Sequence, residues 1–213
     1  EEPEGEPPER GVDRAAHLVY QLLTLARAEA SDQGQQALEP LDLDGILRGQ
    51  VEEWVMRALD KRIDLGYEAA PSSEILGNAL LLRELISNLI DNALRYTPEG
   101  GRVTCRVVVQ GDFVTLEIED NGIGLSEEQA ALVFERFYRV DGTGVDGSGL
   151  GLAIVREIAE LHHADASLRP NPVERGAVAR VVFSRHQPDV AQPAFDAQVE
   201  GELGIRNPPI GFV

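Results

Sequence analysis

Apolar and polar residues along the chain repeat with two different periods. Residues 11–30, GVDRAAHLVYQLLTLARAEA, place Val12, Ala15, Val19, Leu22 and Ala26 at steps of three and four, with Leu18, Leu23 and Leu25 widening the stripe. That spacing puts one apolar face on a helix, and such a seam requires a partner helix. None of matching character adjoins it, so the partner belongs to another chain or to a further segment. The polar stretch SDQGQQ (31–36) leads out of this unit, bounded at 11–32, into a linker over 33–37.

From residue 38 the two periods alternate. Residues 38–43 read as a short edge strand, where Pro40 is tolerated. Asp44 is an N-cap candidate for a helix running to about residue 62, with Ile46, Leu47, Val51, Trp54, Val55 and Leu59 facing inward. Strands over 63–69 and 74–76 follow. A helix opened by Asn78 then runs to Thr97-Pro98-Glu99-Gly100-Gly101, which ends it. Period-two alternation marks strands over 102–110 and 113–120, joined by Gly111-Asp112, a two-residue hairpin signal. A glycine-rich loop holding a short helix (127–133) leads to an amphipathic helix over 152–162. Strands over 166–169 and 177–184 flank an Asn171-Pro172 turn. Helices interleaved with strands and hairpins predict an α/β (α+β) two-layer sandwich over 38–186, a mixed sheet with helices packed on one face.

Composition narrows the partners. At 213 residues, 43% hydrophobic and 26% charged, the chain is globular. Its net charge of −18, with Lys61 the only lysine, argues against nucleic acid, which requires clustered cations. Acid mixed with Pro and Gly at 1–10 and 187–213 reads as two solvated tails. Cys105 is the sole cysteine and alternates with Val103, Val107 and Val109, which predicts a buried strand residue and no internal disulfide. No apolar run reaches bilayer length and no signal peptide is evident, so the chain as given is expected to be soluble.

Three segments carry the chemistry. On the helix over 79–96, Glu84, Asn88 and Asn92 form a polar stripe at four-residue spacing, with Arg95 and Tyr96 at its end. Amide oxygens bind hard cations, amide nitrogens donate to phosphate, and a guanidinium pairs with phosphate. On the strand VTLEIED, Asp120 shares the inward face of Val114, Leu116 and Ile118, and needs a donor there. The following Gly122 and Gly124 let backbone approach a flat ring. GSGLGLAIVREI (147–158) opens directly into a helix, whose bare N–H groups suit an anion. Singly, each has an ordinary structural explanation; in this order they make one magnesium–nucleotide pocket. GTGVDG (142–147) spells a dinucleotide fingerprint but lacks the strand before it and the helix after it. No GK[ST] is present, which excludes a P-loop.

ELISNLIDNALRYT resembles the N box of sensor histidine kinases, DNGIGL the G1 box, VFERFYR the F box and GSGLGLAI the G2 box. The resemblance implies the GHKL (Bergerat-type) ATP-binding fold and transfer of the γ-phosphoryl of Mg-ATP to a histidine, for relay to a response regulator receiver domain. It implies that Asp120 accepts from the adenine amino group and that Asn88 holds Mg2+. Asn92, Arg95, Tyr96, Gly122, Ile123 and Gly124 would line the nucleotide. Gly147, Ser148, Gly149, Leu150, Gly151 and Leu152 would edge the ATP lid. Arg139 would point a cation at phosphate, Phe134 and Phe137 would pin the lid, Arg136 would face solvent, and Glu84 is a candidate base. RAAHLVYQLLTLARAE resembles the second helix of the dimerisation and phosphotransfer hairpin, which implies a homodimer through that helix in the full-length protein. Any membrane attachment would come from segments upstream, making this the cytoplasmic part of an inner-membrane-anchored bacterial protein.

The phosphoacceptor motif is not found around His17, His162, His163 or His186, so ATP binding is expected without self-phosphorylation. Ala164 stands where the family often has a helix-ending Gly. Rival readings are another GHKL ATPase of gyrase or MutL type, an anti-sigma-factor kinase, or a dimerisation module using nucleotide only structurally.

Overall fold

The computed structural model describes residues 38–140 and 148–185. The seam helix and linker, both tails, GTGVDG with Gly147, and His17 and His186 lie outside the described residues. The elements are β1 (Glu39–Asp42), α1 (Leu43–Asp60), β2 (Asp64–Glu68), β3 (Glu74–Gly77), α2 (Ala79–Tyr96), β4 (Arg102–Gln110) and β5 (Phe113–Asp120). They continue with α3 (Glu127–Leu132), α4 (Gly151–Leu161), β6 (Asp165–Pro170) and β7 (Ala177–Ser184).

A five-stranded sheet runs β2-β4-β5-β7-β6, and β1 pairs with β3 apart from it. β2 is parallel to β4 while the other pairs are antiparallel, so the sheet is mixed as expected. The hairpin register sets Cys105 opposite Ile118 and Val107 opposite Leu116. Those residues, with Val103, Val114, Val181 and Phe183, are buried in one core with the apolar faces of α1, α2 and α4. The other sheet face is polar: Glu117 lies between Arg106 at 2.8 Å and Arg180 at 2.7 Å. Period-two alternation thus sorts one face to the helices and one to the ion pairs.

Two expectations about α1 are corrected. Its N-cap is Asp42, whose Oδ2 accepts from Gly45 N at 3.2 Å. Asp44 instead accepts from Tyr67 Oη at 2.6 Å and Ala70 N at 3.1 Å, tying α1 to β2. Val55 and Leu59 are exposed, because the buried residues Leu43, Leu47, Val51 and Ala58 cluster within about 80° of the helix surface, and residues 55 and 59 lie roughly 40° and 80° beyond that edge.

α2 opens as expected, with Asn78 Oδ1 accepting from Leu80 N and Leu81 N. At the end of α4 the left-handed residue is His163 (φ 51), not Ala164, so Ala164 loses no preferred position. His162 is buried and bridges elements: its Nε2 accepts from Asn78 N at 2.9 Å and its Nδ1 lies 2.6 Å from Ile158 O. Those partners require Nδ1 to carry the proton. Burial, the larger cause, pushes its pKa below the usual histidine value.

Candidate functional site

Where β5 ends, the loop after it turns back across the C-terminal end of α2. Ile123 N donates to Tyr96 O at 3.2 Å, and a Cβ at Gly122 would stand 2.4 Å from the same oxygen. Any side chain at 122 would lift the loop away. Beneath lies a cavity of about 890 Å³, walled by α2, by Asp120 and the loop after it, and by the segments around residues 137–140 and 148–152.

Asp120 sits at the buried end of this cavity. Its Oδ1 accepts from Gly122 N at 2.9 Å and Ala177 N at 3.3 Å, and among the described residues nothing donates to Oδ2. Burial raises its pKa to about 6, although both backbone bonds oppose the shift. A carboxylate kept in an apolar setting with one oxygen unengaged is poised for a ligand donor. Around it, Ile123, Leu125, Leu168 and Ala177 supply apolar wall.

Asn88, Asn92, Arg95 and Tyr96 all line the cavity along one face of α2. Asn88 Nδ2 donates to Glu84 O and Glu84 Oε1, each at 2.9 Å. Its Oδ1 faces α4, since a Cβ at Gly151 would lie 3.1 Å from it. Glu84 itself is not part of the cavity wall; its carboxylate orients Asn88. Arg95 pairs with Asp91 one turn back.

On the opposite side, Ser148, Gly149, Gly151 and Leu152 line the cavity, while Leu150 is buried beneath. α4 starts without a side-chain cap, so its first N–H groups face the cavity edge uncapped. Gly149 has φ +71 and packs against Phe137, whose N donates to Gly149 O at 2.8 Å. Arg139 also lines the cavity. Phe134 is in the core, but Phe137 is 69% exposed with φ 66, so only the first of the two pins this region by burial. Arg136 is half exposed and pairs with Glu157 at 2.8 Å.

Arg57, Lys61 and Asp91 also line the cavity and were not anticipated. Arg57 and Lys61 come from the end of α1, outside every motif, and only packing of α1 on α2 brings them here. Among the described residues no group of three or more His, Cys, Asp or Glu could cage a metal. The donor set suits a cation that shares its shell with a ligand's oxygens.

Residues 77–187 match the family described as histidine kinase-, DNA gyrase B-, and HSP90-like ATPase. The chain is similar to the sensor protein kinase PmrB of Pseudomonas aeruginosa, 36% identical over 86% of this chain and 38% of that protein. It is 42% identical to the sensor protein QseC of Escherichia coli K12 over 71% of this chain and 33% of that one. The chain therefore spans well under half the length of these relatives. Among solved structures it resembles full-length ShkA in complex with AMPPNP, with TM-score 0.69 and 27% identity over 83% of this chain and 37% of that chain.

Proposed function

The chain belongs to the histidine kinase-, DNA gyrase B-, and HSP90-like ATPase family, and from that premise we propose that it is the catalytic ATP-binding part of a two-component sensor kinase. The observation carrying this reading is that Asp120, Asn88, Asn92 and the uncapped start of α4 face one cavity. Its volume of about 890 Å³ lies in the range of small-molecule sites.

In this reading Asp120 Oδ2 accepts from the adenine amino group, with Gly122, Ile123 and Gly124 against the ring. Asn92, Arg95 and Tyr96 contact the ribose and phosphates. Gly147, Ser148, Gly149, Gly151 and Leu152, with Arg139, flank the phosphate chain. Asn88 Oδ1 holds Mg2+, held in orientation by Glu84; the ion would shield phosphate charge when bound. Glu84 acts as a positioning residue, because its carboxylate is engaged with Asn88. Phosphoryl transfer draws on alignment and charge stabilisation, which such a wall supplies.

The γ-phosphoryl goes to a histidine other than the four in this sequence, and from there to a response regulator receiver domain. Residues 11–32 belong to a dimerisation hairpin of the parent protein, two of which make up a four-helix bundle, and the parent protein is held at the inner membrane on its cytoplasmic side. Two measurements test this. Titration with Mg-ATP gives saturable, magnesium-dependent binding that Asp120→Asn abolishes; unchanged affinity in that variant removes Asp120 from the pocket. Labelled ATP gives no stable phosphohistidine on this chain alone; its appearance refutes the assignment of the acceptor.

A further inference from the structure

The last turn of α2 carries a defect that a residue from α1's end repairs. In an uninterrupted helix Leu94 O accepts from residue 98, but Pro98 has no N–H, and Thr97 N already donates to Ala93 O at 3.0 Å. Lys61 Nζ donates to Leu94 O instead, at 2.6 Å. The chain's only lysine thus closes the carbonyl end of the helix that forms the cavity wall.

It does so among other cations. Asp91 pairs with Arg95 and, at 3.4 Å, with Arg57, which also lies 4.9 Å from the centre of the Trp54 ring. Arg57, Lys61, Asp91 and Arg95 all line the cavity, so three cations gather around Asp91 in a chain of net charge −18. Burial first, then Arg57 and Arg95, lower the Lys61 pKa, and Asp91 alone opposes them. Clustered positive charge at a cavity wall is relieved by a bound anion.

We propose that Arg57 and Lys61, with Arg95, form a subsite for the phosphate chain of the nucleotide on the α1 side of the cavity, with Lys61 at its centre. The proposal rests on the nucleotide reading above. It adds α1 to a site whose motifs all lie between α2 and α4.

The test titrates wild type, Lys61→Gln, Lys61→Arg and Arg57→Gln with Mg-ATP, Mg-ADP and adenosine, with thermal unfolding of each ligand-free protein alongside. Gln keeps an amide donor for Leu94 O but carries no charge. Lys61→Gln should weaken ATP and ADP about tenfold, the size of one charge-assisted hydrogen bond, and leave adenosine unchanged. Lys61→Arg should recover most of that loss. Arg57→Gln, which leaves the helix end intact, should show the same selectivity at smaller size and carries the test if Lys61→Gln does not fold. ATP and adenosine affinities that fall equally, or not at all, overturn the subsite and leave Lys61 a helix cap. A wild type that binds none of the three overturns the nucleotide reading and this subsite with it.

Discussion

Asn88 and Glu84 are locked in a two-bond clasp: one amide nitrogen donates to both the backbone oxygen and the carboxylate of the residue one turn earlier, each at 2.9 Å. The clasp resolves the amide's ambiguity, because the nitrogen is held on the helix and the oxygen is left turned towards Gly151. Glu84→Ala is therefore expected to weaken Mg-ATP binding about tenfold, the size of a charge-assisted hydrogen bond, through a freed and reorientable Asn88. Glu84→Gln keeps an acceptor and should retain most of the affinity. Calorimetric titration of both variants decides it; equal losses would show that the carboxylate's charge, not its orientation of Asn88, is what the site uses.

Asp120 should trade stability for binding. Its pKa is about 6 in the folded chain against an ordinary 3.8, so between those values the folded state binds more protons than the unfolded one. Stability from this group is then greatest in acid and falls as pH rises from about 4 through 6. At pH 7 the ligand-free Asp120→Asn protein should be at least as stable as wild type, by up to about 3 kcal/mol, even while it fails to bind nucleotide. Urea unfolding of both proteins at pH 4.5, inside the shift, and at pH 7.5, above it, reads the difference, and a less stable variant at the higher pH contradicts it.

Nucleotide affinity should follow the same proton. The ionised carboxylate holds an amino donor more strongly than the protonated one, so binding should weaken progressively as pH falls below about 6. Affinity flat from pH 7.5 to 5 in wild type would mean that Asp120 does not meet the ligand.

His162 contributes with the opposite sign. Its folded pKa is depressed, so the unfolded chain takes up the proton first and stability falls as pH drops below about 6.5. His162→Gln should destabilise by roughly 1–3 kcal/mol at pH 7.5, the cost of unsatisfied buried partners, and the gap from wild type should narrow towards pH 5. A gap that widens in acid would show that the imidazole is charged in the fold.

Gly149 and Gly111 both have positive φ, but their surroundings differ. A Cβ at Gly111 meets nothing within 4 Å, whereas one at Gly149 lies 2.7 Å from the Phe137 carbonyl carbon. Gly111→Ala should cost about 1 kcal/mol of backbone strain; Gly149→Ala should cost more and also lower ATP affinity by displacing Phe137 and Arg139. Thermal unfolding paired with ATP titration separates the two effects, and equal, small losses would remove Gly149 from the lid edge.

Local order was legible along the chain because it has a local cause. Period-two alternation placed β4 and β5 residue for residue and turned Asp120 inward, since strand geometry alone decides which face a side chain takes. Four-residue spacing likewise put Glu84, Asn88 and Asn92 along one face of α2, with Asn88 and Asn92 reaching the cavity. Choices between competing neighbours were not legible. Asp44 reads as the cap of α1 in sequence, yet Asp42 takes that place while Asp44 bonds Tyr67 and Ala70 across the fold. Val55 and Leu59 read as core until the rotation of α1 turned them to solvent. The cations Arg57 and Lys61 carry no motif, and only the packing of α1 on α2 sets them beside Asp91 and Leu94. Periodicity and turn chemistry act over a few residues, and so the sequence determined the elements and the inward aim of Asp120. Which groups from distant elements share one cavity depends on how those elements pack, which tertiary structure alone decided.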